Sequence, residues 1–185
     1  MTHTLYLTIA REAILSAFEN SHIDTNALLH AYPDLAHPYA TFVTLTLHGK
    51  LRGCIGSLIA HRPLVEDLIS NAKSAAFRDP RFPPLSPEEF AEIRIEVSLL
   101  TPPQRIEYGS KDELKDLIHP RIDGVILRHG NYQATFLPQV WDDLRDFDSF
   151  FDHLGMKAGL GTDPLSHHPE VYTYQVQKFE EEPHE

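Results

Sequence analysis

Cysteine occurs once in this chain, at Cys54. A single thiol excludes an intrachain disulfide and the four-sulfur zinc and iron–sulfur cages, and it suits a reducing compartment. Long apolar runs are also missing: none approaches the ~18 residues that span a bilayer. The opening residues, Met-Thr-His-Thr-Leu-Tyr-Leu-Thr, lack the basic and apolar regions of a secretory signal. The expected location is therefore cytoplasmic, with no membrane partner. Positive charge is scarce, since 16 Lys and Arg against 27 Asp and Glu leave a formal charge of −11. Affinity for a phosphate backbone comes from cations that displace counterions, so nucleic acid is not an expected partner.

Several chemical motifs are absent too. There are 12 histidines, yet no His-Glu-x-x-His, no His-x-His and no helical His pair at i, i+4, and His167-His168 reads as a solvated loop, so no metal is expected. A serine hydrolase elbow and a phosphate-binding glycine loop are likewise missing, because Gly53 and Gly56 match neither pattern. Internal repeats and low-complexity linkers do not occur.

What is present fits one domain of 185 residues that is 42% hydrophobic, with a main core and a small flanking lobe. The domain is placed at 1–179, and the acidic stretch 180–185 reads as a solvated, frayed tail. Helical spacing of Leu7, Ala10, Ile14, Ala17 and Phe18 predicts a first helix capped by Thr8. Alternation over 41–48, followed by Gly49 and then 51–58, predicts a hairpin. A helix follows Pro63 and runs to Phe77. Ser86-Pro87-Glu88-Glu89 is a capping box with proline at the first helical position. The strict alternation of Ile93, Ile95, Val97 and Leu99 marks a half-buried strand. A second capping box at Ser110–Glu113, a hairpin over 125–137, a helix drawn by Phe147, Phe150, Phe151 and Leu154, and a closing strand over 171–179 complete the pattern. Hairpins separated by helices of unequal length give an α+β class, with a mixed, largely antiparallel sheet flanked by helices.

Two segments carry candidate chemistry. Leu51-Arg52-Gly53-Cys54-Ile55-Gly56 places two glycines in a strand, where glycine is retained for a bulge or a close approach. If the segment is extended, Arg52 and Cys54 share a face and the guanidinium would favour the nucleophilic thiolate. The opposite reading makes Cys54 a small core residue and Arg52 a carboxylate clamp. In Phe77-Arg78-Asp79-Pro80-Arg81-Phe82, Arg81 could grip an anion and Asp79 could orient it or act as a base. Alternatively Asp79 accepts hydrogen bonds from its own turn and Phe82 plugs the core. Glu96 could pair with Arg52 across the sheet or act as a general acid or base if desolvated. The candidate catalytic residues are thus Cys54, Glu96 and Asp79, and the candidate binding residues are Arg52, Gly53, Gly56, Arg81 and Phe82.

The six residues 51–56 resemble the hallmark Leu-Arg-Gly-Cys-Ile-Gly of the AMMECR family, named for a human chromosomal-deletion syndrome. Further blocks similar to the family follow in order: 76–82, 95–100, 123–125, 136–140 and 157–160. The resemblance covers about 42–160. It implies an α+β fold of two lobes with a cleft between them and an activity seated at the hallmark segment. In many prokaryotes such proteins look like the A component of an AmmeMemoRadiSam system. That implies a modification pathway with Memo-like and radical S-adenosylmethionine partners, in which the partner owns the cofactor and this chain carries none. A non-catalytic module that docks such a partner is the alternative. Two departures stand out: Gly155 occupies a position where relatives often carry a second cysteine, and Asp163-Pro164-Leu165 replaces a tryptophan-containing segment.

Overall fold

The computed structural model describes residues 2–184, and its chain forms two compact units. The first comprises Met1–Leu100 and Gln177–Glu185, and the second Thr101–Val176. The class is α+β, as the pattern predicts, with the strands distributed over two four-stranded sheets.

In the first unit, α1 (Thr2–Glu19) and a short α2 (Thr25–Ala31) precede the hairpin of β1 (Ala40–Leu47) and β2 (Lys50–Gly56). The two-residue reversal at His48 and Gly49 uses positive φ at both positions (52° and 78°), which matches the twist of the flanking strands. Helix α3 (Leu64–Phe77), α4 (Pro87–Glu92) and β3 (Ile93–Leu100) follow, and β8 (Val176–Glu180) returns to close the sheet in the order β2-β1-β3-β8. Strands β2 and β3 both run antiparallel to β1. Val43, Leu45, Ile93, Ile95 and Val97 face inward and pack with Ile9, Ala13, Leu68 and Ala72 of α1 and α3. The opposite face of the sheet carries Thr44, Thr46, Arg94 and Glu96, none of them in the core.

The second unit holds β4 (Gln104–Ile106), α5 (Lys111–Leu117), β5 (Gly124–His129), β6 (Tyr132–Phe136), α6 (Phe147–Ala158) and β7 (Glu170–Tyr174). Its sheet order is β4-β7-β5-β6. Trp141 stacks on Phe150 with centroids 3.6 Å apart and donates its indole N–H to the Asp123 carbonyl oxygen, so the core's largest ring has its polar atom satisfied. No helix among the described residues is long and apolar enough to cross a membrane.

Three local expectations change, and one helix appears where none was expected. Thr8 lies inside α1, because Leu5 and Tyr6 also pack on the core and extend the helix toward its start. Helix α2 carries no sequence stripe, since none of its residues is buried; the Asp24 side chain caps it instead by accepting from the Ala27 N–H. The closing strand expected over 171–179 divides at Gln175 into β7 and β8, which belong to different sheets. Residues 180 and 181 are not a frayed tail: Glu180 ends β8, and Glu181 grips Arg11 through two 2.7 Å hydrogen bonds and accepts from the Ile95 N–H at 2.9 Å.

Asp67, fully buried on α3, joins the helix to the sheet. It accepts from the Thr41 N–H (2.8 Å), the Thr41 and Ser57 hydroxyls (2.7 Å each), Arg62 Nε (2.7 Å) and Asn71 Nδ2 (3.0 Å). A carboxylate taken out of water is tolerated when its lone pairs are this completely used. Asp67→Asn sets an amide donor against these donors and should lower the unfolding free energy by about 3 kcal/mol. Urea denaturation checks this as a lower midpoint at unchanged slope, and an unchanged midpoint would show the network to be dispensable.

Candidate functional site

Most of the 51–56 segment is spent on architecture. Strand β2 is irregular where Gly53 pairs with Leu45 while Leu51 pairs with Thr46, which leaves Arg52 as the extra residue of a bulge. Strict alternation is broken there, so Arg52 does not stand beside Cys54 as an extended strand would place it. Its side chain is buried: Nε and Nη2 reach the Glu89 carboxylate at 2.7 and 3.1 Å, and Nη2 also reaches the Pro83 carbonyl oxygen at 2.8 Å. The ion pair expected between Arg52 and Glu96 is therefore replaced by Arg52 with Glu89. Glu89 serves twice, because it also completes the Ser86 capping box.

The two glycines answer to packing. A Cβ on Gly53 would lie 2.1 Å from the Ala75 carbonyl oxygen, so β2 runs against the backbone of α3. A Cβ on Gly56 would lie 2.2 Å from the ring of Phe42, its cross-strand partner. Ile55 packs on the core. Phe82 does not plug that core; the guanidinium carbons of Arg52 and Arg81 lie 5.7 and 5.5 Å from the centroid of its ring.

Cys54 stands apart from this packing. Gly53 faces α3, so the alternation of the strand turns Cys54 to the outward face, where it is half-buried and outside both apolar clusters. Its Sγ lies 3.3 Å from Oγ1 of Thr44, its cross-strand partner. Its backbone N–H donates to Asp79 Oδ2 at 3.0 Å. Asp79, buried just beyond the end of α3, also accepts from Arg81 N, Nε and Nη2 at 2.8 to 3.0 Å. Those Arg81 hydrogen bonds, with the Cys54 N–H, hold its carboxyl far below the usual range. The ionised form of Asp79 is thus favoured, and its hydrogen bond from the Cys54 N–H ties the strand to the turn after α3. Arg81, with its side chain half exposed, is already paired with Asp79.

Glu96 stands opposite Thr44 on the next strand, so Cys54, Thr44 and Glu96 form one row across β2, β1 and β3. Burial pushes the Glu96 carboxyl up from the ordinary value; nearby Lys178 lowers it, and Glu180 raises it by sharing a proton and adding like charge. Lys178 Nζ is 3.8 Å from it. Thr44, Lys178 and Glu180 were not named as site residues from the sequence, and Glu89 was named only for its capping box. The period-two pattern held the signal for Thr44, which shares the polar face of its strand with Thr46, whereas the other three depend on contacts distant in sequence.

Elsewhere, a Cβ on Gly155 would lie 2.4 Å from the Gly161 carbonyl oxygen and 2.7 Å from the Pro164 ring, so the present packing of α6 has no space for a cysteine there. Among the described residues no three of His, Cys, Asp and Glu converge to hold a metal. His167 and His168 instead lie against the rings of His129 and Tyr108.

The Arg52 pair holds the Glu89 carboxyl down to about 2. A depressed folded-state value stabilises the protein above the unfolded value near 4.5 and loses that contribution as the pH falls through about 2. Glu89→Gln should therefore be less stable than the parent at neutral pH, with the gap closing between about pH 4.5 and 2. Denaturant midpoints across that range check it, and a gap independent of pH would show that the Glu89 charge contributes nothing.

Comparison with known proteins gives the chain its relatives. The AMMECR1 family model matches residues 7–179. A protein of Methanothermobacter thermautotrophicus is 44% identical over 144 residues, covering 76% of this chain and 74% of its own length. One of Thermofilum pendens is 35% identical, over 96% of this chain and 88% of its own. A crystal structure of an uncharacterized protein from Pyrococcus horikoshii superposes with a TM-score of 0.78 at 34% identity, covering 97% and 91% of the two chains. This chain belongs to the AMMECR1 family.

Proposed function

We propose that the chain is a component of a modification pathway and that the outward face of its first sheet does thiol chemistry centred on Cys54. The observation that supports this reading most is the position of the sulfur. The family's hallmark uses its arginine and glycines for packing and turns its thiol to the outward face, half-buried, beside Thr44, which in turn stands opposite Glu96. A carboxyl raised by burial holds a proton more readily than an exposed one, which suits it to take a proton and give it back. In this reading Cys54 loses its proton through the Thr44 hydroxyl to Glu96, and the thiolate donates its electron pair to an electrophilic centre of the substrate. The leaving group departs with the pair it held and takes the proton from Glu96. Asp79 fixes the backbone beneath the sulfur, and Arg81 beside it offers its exposed donors to an anionic substrate. Memo-like and radical S-adenosylmethionine proteins are the proposed partners, on the strength of family membership, and any radical cofactor belongs to them.

A docking module is the second reading. It is favoured by Leu51, Leu58 and Ile59, apolar side chains that stand exposed on β2 and the turn after it.

Because Cys54 is the chain's one thiol, iodoacetamide reports on it without background. The thiol reading expects the folded protein to be alkylated within about tenfold of the rate of the urea-unfolded chain, and Glu96→Gln to slow the folded-state reaction by about tenfold or more. A thiol that reacts only after unfolding would overturn the thiol reading and leave the docking module.

A further inference from the structure

Strand β8 contributes more to the outward face than an edge. It lies beside β3 and brings two charged side chains to Glu96 and its neighbour on β3: Lys178, with Nζ 3.8 Å from Glu96 Oε1, and Glu180, whose Oε2 is 3.1 Å from Arg94 Nη2. Thr46, Arg94, Ile95, Glu96 and Glu180 line a hollow of about 70 Å³. The Glu96 side chain is 27% exposed, against 47% for Glu180, so water screens the two carboxyls unequally and the more buried one bears the cost of their closeness. The charged and titratable groups facing Glu96 are Arg94 on its own strand, Lys178 and Glu180 on β8 and, one strand beyond Thr44, the Cys54 thiol. Register thus puts Cys54, Thr44 and Glu96 side by side on β2, β1 and β3, with the Thr44 hydroxyl 3.3 Å from the sulfur, and Glu180 of β8 comes next to Glu96.

We propose that Lys178 and Glu180 are positioning residues for Glu96, and that β8 through them sets the pH range over which Cys54 can react. The inference rests on the reading of Cys54 as the reacting thiol. Glu96 accepts the thiol proton only as the carboxylate. Lys178 favours that form by its charge, while Glu180 opposes it by like charge and by sharing the proton. Removing either one should move the working range, in opposite directions. Neither touches the sulfur, so a merely structural role would leave the shape of the pH profile unchanged.

The test uses the full chain with Glu180→Gln, Lys178→Met and Glu96→Gln. Both β8 residues are nearly half exposed, so their variants should keep the fold, and thermal melts check this. Carboxyl carbons of glutamate-labelled protein are titrated by NMR, and iodoacetamide rates at Cys54 are measured across the same pH range. The Glu96 midpoint should fall in Glu180→Gln and rise in Lys178→Met. The inflection in the alkylation profile should move with it in each case and vanish in Glu96→Gln. Unchanged Glu96 midpoints in both β8 variants overturn the inference and leave the thiol reading standing. So does a midpoint that moves while the thiol profile stays put. A thiol inert in the folded protein overturns the thiol reading, and this inference with it, whatever the carboxyls do.

Discussion

The closeness of α3 to β2 is the constraint on which the candidate site depends. Helix and strand approach until the Ala75 carbonyl oxygen occupies the space of a side chain at position 53, so only glycine is accommodated there. One end of the helix is tied to β1 and the end of β2 by the buried Asp67 and Asn71 network. Just past the other end, Asp79 reaches back to the N–H of Cys54. With the helix fixed at both ends, the faces of β2 are no longer negotiable. Gly53 points in, and the sulfur must point out.

The same geometry explains how the hallmark segment divides its labour. Its arginine is withdrawn by the bulge to clamp the turn between α3 and α4, where Pro83, Glu89 and the Phe82 ring surround the guanidinium. An arginine held by a bidentate carboxylate and a carbonyl has little left for a ligand, although one of its terminal nitrogens, Nη1, is buried with no hydrogen-bond partner. A glycine-rich stretch with a charged residue and a thiol invites the reading of a binding loop. Here it is mainly a packing device, which leaves the Leu51 and Cys54 side chains on the outside.

Which parts of this could be read from the chain follows from the range of the forces involved. The Ser86 box, the Gly49 and Gly130 reversals, the end of α6 at Gly159 and the alternation of β3 were legible, because capping and turn geometry act within a few residues. The second box was half right: Glu113 accepts from the Gly109 N–H rather than that of Ser110, one residue away from the expected donor. The division at Gln175 was hidden, since apolar alternation runs through it without a glycine or proline to mark the crossing. The bulge at Arg52 was hidden for a different reason. A strand with one extra residue looks in sequence like an ordinary strand, and its partner Glu89 already had a local role that accounted for it. Of the candidate site, Cys54, Asp79 and Glu96 could be picked out as residue types, but their relations to Thr44, Lys178 and Glu180 rest on cross-strand register, which no single segment encodes.

The return of the chain at Gln177 bears on the order in which the molecule is made. The second unit is one continuous stretch, whereas the first is split, with its last strand emerging from the ribosome after all of the second. Phe179 packs against Tyr6 with the rings tilted by 50°, and Glu181 holds Arg11 across 170 positions of sequence. Contacts so distant carry a large loop-closure cost and form late. During synthesis, then, the first hundred residues wait with the outer edge of β3 unpaired while the inserted unit can already have folded. The side chains that attend Glu96 come from β8, so the nascent protein carries its thiol through the making of the whole second unit before Lys178 and Glu180 appear.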